Sequence, residues 1–283
     1  MANRKGRKGL KAHSEVTLRI LKDHGYAVGD EWVDLSSILA SQDSLTTTYL
    51  PSDPLPNQNR TESHNDEHST DFVTNSTDTL AAAVSLLETC TSVAALNFAS
   101  AKHAGGGWLS GAQAQEESIT RRSTLFASLS CDSARPYYEH NMSNLKPVNN
   151  GLYTDAIILS SSVAILQPDE TDPFGYLTSP PTCAFLTCPA PNANHALRMN
   201  ESLASIESVF RARIDRVLAV AKAHNIEGLV LGAWGCGVFG NDPHFVANTM
   251  MSLLKGKYRG VFKAVSFPLR DDVNREAFEE VVK

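Results

Sequence analysis

From about residue 79 to the C-terminus, short apolar runs alternate with longer segments whose apolar positions recur at helical spacing. Residues 93–97, 155–161, 184–188, 228–233 and 261–267 supply the runs. Residues 77–88, 115–129, 201–224, 243–254 and 273–283 supply the helical segments. A strand that is apolar at every position, rather than at alternate ones, must be covered on both faces. The pattern predicts a largely parallel sheet between two layers of helices. In the longest helical segment Ile206, Val209, Phe210, Ile214, Val217 and Leu218 share the face that such a helix buries.

The 283 residues allow one large domain or two small ones, and either can bury a core without disulfides or metal. No apolar run is long enough to span a bilayer and no secretory leader is visible, so we expect a soluble, cytosolic protein. Five scattered cysteines without a CxxC pair and nine histidines without HExxH spacing predict neither a metal site nor a cofactor. A net charge of −6 argues against coating nucleic acid along a basic face. The first eleven residues carry Arg4, Lys5, Arg7, Lys8 and Lys11. They read first as a solvated terminus, and second as a nuclear signal or a phosphate-touching tail. A helix should follow with Ser14 as its N-cap and Gly25 as its stop. Residues 41–77 are rich in Ser, Thr, Asn, Asp and Pro, lack periodicity, and read as a loop with His64 and His68 exposed.

Parallel sheets bind ligands at the carboxyl ends of their strands, and two glycine-rich loops fall there. The first follows Asn97 and Ala99 and contains Gly105, Gly106 and Gly107; after seven residues come Gln115, Glu116 and Glu117. The second holds Gly235, Cys236, Gly237, Val238, Phe239 and Gly240, with Pro243 placed to open a helix. Consecutive glycines cost backbone entropy; they let N–H groups approach an anion, or they form a flexible turn. The GxGxxG of the second loop is a weak signal alone. No acidic residue follows at the distance that would hold a ribose, which disfavours a nicotinamide enzyme but keeps diphosphate binding. Acidic residues in a first helical turn also have a purely structural use against the helix dipole. Successive helical residues point about 100° apart, so one carboxylate can face the reacting bond while the other grips a hydroxyl. Such a pair beside an anion loop suggests acid-assisted cleavage of a sugar phosphate. Trp108 and Trp234 flank the loops, open either to stacking on a base or to packing in the interior. Cys236 lacks a visible base partner and reads as a small loop residue.

The combination GGG, seven residues, QEE resembles the signature of the poly(ADP-ribose) glycohydrolase family. Residues 231–243 (LGAWGCGVFGNDP), Asn97-Phe-Ala-Ser and Ala190-Pro-Asn192 are similar to its microbial branch. The resemblance runs from about residue 79 to 267. It implies a three-layer α/β/α macrodomain with a mixed central sheet, in which residues 78–283 form the catalytic core and residues 1–77 an N-terminal helical and loop extension packed on it. It implies hydrolysis of ribose–ribose bonds of poly(ADP-ribose) carried on ADP-ribosylated proteins, releasing ADP-ribose. Glu117 would be the catalytic acid and Glu116 would hold a ribose hydroxyl. Asn97 would orient the distal ribose, with Gln115 as buttress and Ala99 and Asn192 among the binding residues. The 235–240 loop would take the diphosphate, and Phe239 would pack on the distal ribose. A monomer is expected, with no membrane and no sequence-specific nucleic-acid partner. The alternatives are a macrodomain that binds ADP-ribose without cleaving it, and a hydrolase of mono-ADP-ribosylated targets.

Overall fold

A computed structural model describes residues 4–55, 69–144, 150–172 and 175–282. The chain opens with α1 (Arg4–Asp23), the hairpin β1 (Gly25–Val28) and β2 (Glu31–Asp34), α2 (Ser36–Ala40), β3 (Thr46–Tyr49) and β4 (Asp71–Asn75). Next come α3 (Thr79–Leu87), β5 (Val93–Phe98), α4 (Gln115–Arg121), α5 (Leu125–Leu129), α6 (Arg135–Asn144), β6 (Ile157–Ala164) and β7 (Thr182–Cys188). The chain closes with α7 (Ala193–Arg198), α8 (Leu203–Ala223), β8 (Gly228–Val230), α9 (Pro243–Lys255), β9 (Ala264–Pro268) and α10 (Asp272–Val282).

Seven strands form one sheet in the order β3-β6-β7-β5-β8-β9-β4. The pairs from β7 through to β4 are parallel, whereas β6 runs antiparallel to both β3 and β7. The sheet is therefore mixed, as the family resemblance implies, with four of its six strand pairs parallel. Period-two alternation sorts each central strand between two cores. Ala94 and Leu96 of β5 join Phe210, Ile214, Val217, Val246 and Met250 from α8 and α9. Val93 and Ala95 join Leu80, Leu125, Leu129 and Tyr137 from α3, α5 and α6. Helices cover both faces, and the ends of the parallel strands are left to the loops.

Several sequence expectations are corrected. α1 begins at Arg4, so the basic arm is helical and Ser14 lies mid-helix; its hydroxyl bonds to the Leu10 carbonyl oxygen rather than capping. The helix stops at His24, whose φ of 56° is left-handed, and Gly25 already belongs to β1. Residues 41–77, read as a loop, contribute both edge strands of the sheet; His64 and His68 lie outside the described residues. Edge strands of only four and five residues, three of them threonine in β3, carry no long apolar run, which is why their sequence looks like loop. The helix expected over 115–129 is broken at residues 122–124. There Thr124 N–H donates to the Ala164 carbonyl oxygen (3.0 Å), and Ala164 N–H donates to Thr124 Oγ1 (3.0 Å). Pairing with the end of β6 replaces the helical bonds. A small third core of Ile20, Tyr26, Val33, Leu35, Ala164 and Leu166 seats α1 and its hairpin against the sheet.

Candidate active site

β5 ends at Asn97 and Phe98 and delivers the chain to the glycine loop, which returns into the first turn of α4. Gln115, at the helix start, ties these parts together. Its Oε1 accepts from Phe98 N–H (2.9 Å), and its Nε2 donates to the Leu96 carbonyl oxygen (2.7 Å) and to Thr79 Oγ1 (3.2 Å). One side chain thus fixes α4 against both β5 and α3.

The adjacent glutamates sit in different surroundings. Glu116 is sealed, 3% exposed; its Oε2 accepts from Ser100 N–H (2.7 Å) and its Oε1 from Asn97 Nδ2 (3.3 Å). Burial pushes its carboxyl up to about 8, with the nearby Glu117 adding to the push, against the downward pull of Ser100 N–H, Asn97 and Gly105 N–H. Glu117 is 9% exposed, and its Oε1 accepts from Gly107 N–H (2.9 Å). Asn97 is fully buried and also donates to Thr187 Oγ1 (3.2 Å); among the described residues its Oδ1 has no partner.

Close packing explains the glycine run, the carboxylates acting at Gly106. A Cβ at Gly106, where φ is +61°, would stand 2.5 Å from Glu117 Oε1 and 2.9 Å from Glu116 Oε2. A Cβ at Gly107 would meet Ala112 Cβ at 2.9 Å, and one at Gly105 would meet Thr120 and Trp108 at 2.8 Å. The backbone must pass this close for Gly107 N–H to reach Glu117. On its inner side the first loop thus packs against the Glu116 and Glu117 carboxyl groups.

The turn after Gly107 is clamped from outside by α1. Ser14 Oγ donates to the Trp108 carbonyl oxygen (2.7 Å), Thr17 Oγ1 to that of Arg121 (2.5 Å), and Arg7 Nε to that of Ser110 (3.0 Å). From inside, Arg121 Nη1 donates to the Ala112 carbonyl oxygen (2.8 Å), and Ala112 N–H to that of Gly107 (3.2 Å).

The second loop is built by local bonds. Gly235 and Gly240 have φ of +77° and +70°, where Cβ atoms would strike Asn241 and Asn194 at 2.4 Å. Asn241 Nδ2 holds the carbonyl oxygens of Pro191 (2.8 Å) and Gly235 (3.0 Å), and Asp242 caps α9 by accepting from Phe245 N–H (2.7 Å). Among the described residues, the N–H groups of Gly237, Val238 and Phe239 donate to no backbone carbonyl. Val238 is 87% exposed, and Phe239 lies 6.0 Å from the Tyr153 ring.

A cleft of about 540 Å³ lies over the carboxyl ends of β5, β8 and β9 and reaches the second loop. Of the expected residues, Gln115, Gly235, Gly237, Val238 and Phe239 line it. Asn97, Gly105, Gly106, Gly107, Cys236, Gly240, Glu116 and Glu117 are not among the residues that line it, although Phe98 and Gln115, next in sequence to Asn97 and Glu116, are. Ala99 is buried with its N–H on the Cys188 carbonyl oxygen (3.2 Å), and Asn192 caps α7 by accepting from His195 N–H (3.0 Å). Cys236 is partly buried, and burial pushes its thiol up to about 12, so it offers no thiolate. Trp108 and Trp234 are 1% and 0% exposed and pack on Phe126 and Phe210, so neither is available to stack on a ligand.

The opposite wall of the cleft carries a charged network that sequence reading missed. The buried Arg122 pairs with Asp78 (3.1 Å) and donates to Ser118 Oγ (2.9 Å), which donates to Glu170 Oε1 (3.0 Å); Glu170 pairs in turn with Arg270. Burial alone would raise Glu170, but Arg122, Arg270 and Ser118 outweigh it and hold the carboxyl low. These residues come from four separate stretches of chain. Only Asp78, a helix-capping type before an apolar helix, left a signal. Among the described residues no group of three His, Cys, Asp or Glu side chains could hold a metal ion, and no helix is long and apolar enough to cross a membrane.

A mixed sheet between two helical layers, with a nucleotide-sized cleft at its strand ends and a carboxylate pair beside it, defines a macrodomain equipped with a candidate acid. The model of the microbial-type PARG catalytic domain matches residues 14–168, and the chain belongs to the microbial-type poly(ADP-ribose) glycohydrolase family. Its fold is similar to that of poly(ADP-ribose) glycohydrolase from Thermomonospora curvata, with TM-score 0.84 and 34% identity over 96% of this chain and 99% of that one. It is also similar to that enzyme bound to the inhibitor ADP-HPD, with TM-score 0.82 and 35% identity over 96% and 99% of the two chains. The Deinococcus radiodurans enzyme in complex with ADP-ribose matches with TM-score 0.75 and 37% identity over 87% and 97%. No curated protein sequence matches the chain.

Proposed function

We propose that the chain hydrolyses the ribose–ribose O-glycosidic bond of poly(ADP-ribose) and releases ADP-ribose, with Glu117 as general acid. The observation that carries this reading is the division of labour within the pair. Both Glu116 oxygens accept hydrogen bonds, whereas Glu117 has one oxygen braced by Gly107 N–H and is the more exposed of the two. Protonated Glu117 gives its proton to the oxygen of the leaving ribose as the bond to the anomeric carbon breaks and an oxocarbenium-like centre develops. The resulting carboxylate then takes a proton from the water whose oxygen attacks that carbon. Glu116, neutral up to about pH 8, presents a hydrogen to a ribose hydroxyl. The buried Oδ1 of Asn97, without a partner among the described residues, accepts one from the distal ribose. The N–H groups of Gly237, Val238 and Phe239 receive the diphosphate, whose charge suits such converging donors. Phe239 packs on the distal ribose.

ADP-ribosylated proteins are then the carriers of the substrate, the enzyme works as a monomer, and its place is the cytoplasm, or the nucleus if the basic N-terminus serves as a signal. The test is incubation with an auto-modified poly(ADP-ribose) polymerase and identification of products by mass. Free ADP-ribose, with one unit left on the protein, is the expected result. Tight binding of ADP-ribose without any product would make the chain a reader instead.

A further inference from the structure

Nothing in the hydrolysis just described uses the charge on α1. Residues 1–22 hold seven of the 25 basic residues and one of the 31 acidic ones, in a chain of net charge −6. The helix keeps the basic residues on its solvent side, with the exposed Glu15 among them. Ser14, Thr17 and Ile20 are buried against the core, while Arg7, Lys8, Lys11, Arg19 and Lys22 are exposed. At 1.5 Å per residue, the 20 residues of α1 make a ridge about 30 Å long. Among the described residues, no carboxylate forms an ion pair with any of these five side chains.

The N-terminal end of the ridge is fixed to the turn behind the glycine loop. Arg7 grips the Ser110 carbonyl oxygen, and a Cβ at Gly111 would stand 2.4 Å from the Arg7 carbonyl oxygen. This is the turn that follows Gly107, the residue bracing Glu117. α4 divides two sides: Ala114, Gln115, Ser118 and Arg122 line the cleft, whereas Glu117 and Arg121 meet the glycine loop and its α1 clamp. On the hydrolase reading, on which this inference rests, the cleft takes the terminal ADP-ribose unit. The rest of the polymer lies across the scissile bond and leaves past the Gly107–Gly111 turn, where α1 stands.

We infer that the exposed basic face of α1 is a docking track for the stretch of poly(ADP-ribose) beyond the scissile bond. Each further unit brings a diphosphate, and the ridge meets it with five exposed cations that pair with no carboxylate among the described residues. Such contacts release counterions, so they strengthen affinity for long chains and make it salt-dependent. They add nothing for a single ADP-ribose, which fills only the cleft.

The test compares two full-length proteins: the Glu117→Ala chain, which retains polymer without turnover, and the same chain with Lys8→Glu and Lys11→Glu added. Affinity for long poly(ADP-ribose) and for ADP-ribose is measured across a range of salt, with thermal melts to verify folding. Charge reversal should weaken long-polymer binding by about fivefold or more and flatten its salt dependence, with ADP-ribose affinity unchanged. In chains that keep Glu117, KM for long polymer should rise in parallel. Equal affinity for long polymer in both proteins overturns the inference, as does an equal loss for polymer and ADP-ribose. A short RNA whose binding falls with charge reversal while polymer affinity holds would assign the ridge to nucleic acid, and also overturns it. Turnover by the unsubstituted chain is read separately: absence of ADP-ribose release defeats the hydrolase reading, whereas the binding comparison judges the track.

Discussion

Glu116 and Glu117 are neighbours in sequence with unlike surroundings, and substitutions should separate them. Glu117→Ala should bind ADP-ribose nearly normally yet lose about 10²-fold or more in release from polymer, measured by calorimetry and by product chromatography. Substantial turnover by that variant would reassign the acid. For Glu116 the prediction concerns pH. Its carboxyl titrates at about 8 in the fold against 4.5 in the open chain, so the folded state holds the extra proton between those values. The corresponding stability is fully present below pH 4.5 and is lost as pH rises to about 8, a change of the order of a few kcal/mol. Glu116→Gln, which cannot ionise, should flatten the fall of Tm over that window; an unchanged slope would count against a neutral Glu116. The glycines divide in the same way. Gly106→Ala forces a left-handed φ of +61° and drives Cβ into both carboxylates, costing about 1–2 kcal/mol for the backbone alone and most of the activity. Gly237, with open space around its Cβ position, should accept Ala with little change in Tm.

At the level of elements, helix ends carry unequal weight. Ser202 caps α8 by accepting from Ser205 N–H, and little else depends on it. Asp78 caps α3 through Leu80 and Ala81 N–H and also neutralises the buried Arg122. Ser202→Ala should cost about 1 kcal/mol. Asp78→Ala should cost about 2–4 kcal/mol, because a guanidinium is left buried without its partner. Urea melts of the two variants check the difference, and similar midpoints would show that Arg122 finds other compensation. The same distinction decides which elements can be read in advance. α3, α8 and α9 combine apolar periodicity with a capping residue or a Pro start and are readable. The break between α4 and α5 is not, because Ser123 and Thr124 leave the helix to bond with residues about forty positions away.

For the whole molecule, both edge strands of the sheet come from residues before 78. A fragment of residues 78–283 would lose β3 and β4, expose the edges of β6 and β9, and lose Tyr49 and Leu55 from the larger core. It should show no cooperative unfolding by circular dichroism, and a sharp transition would demonstrate that those strands are dispensable. The two glycine loops, more than a hundred residues apart in sequence, stand at the same end of the sheet only because β5 and β8 are neighbours in its parallel part. The cleft over those strand ends is a property of strand order, so it depends on the sheet staying closed at both edges.

Local chemistry was sufficient to determine the apolar strands, the long amphipathic helix, the glycine loops and the paired glutamates, because period, propensity and spacing are written residue by residue. The tertiary structure alone decided what surrounds them. The clamp of Ser14, Thr17 and Arg7 on the turn after Gly107 and on the end of α4, the buried Arg122 network and the burial of both tryptophans depend on contacts between segments far apart in the chain. So does the contrast between Glu116 and Glu117, since the shift of a carboxyl follows from how completely water is removed from it. Burial of that kind belongs to the assembled fold and to no single stretch of sequence.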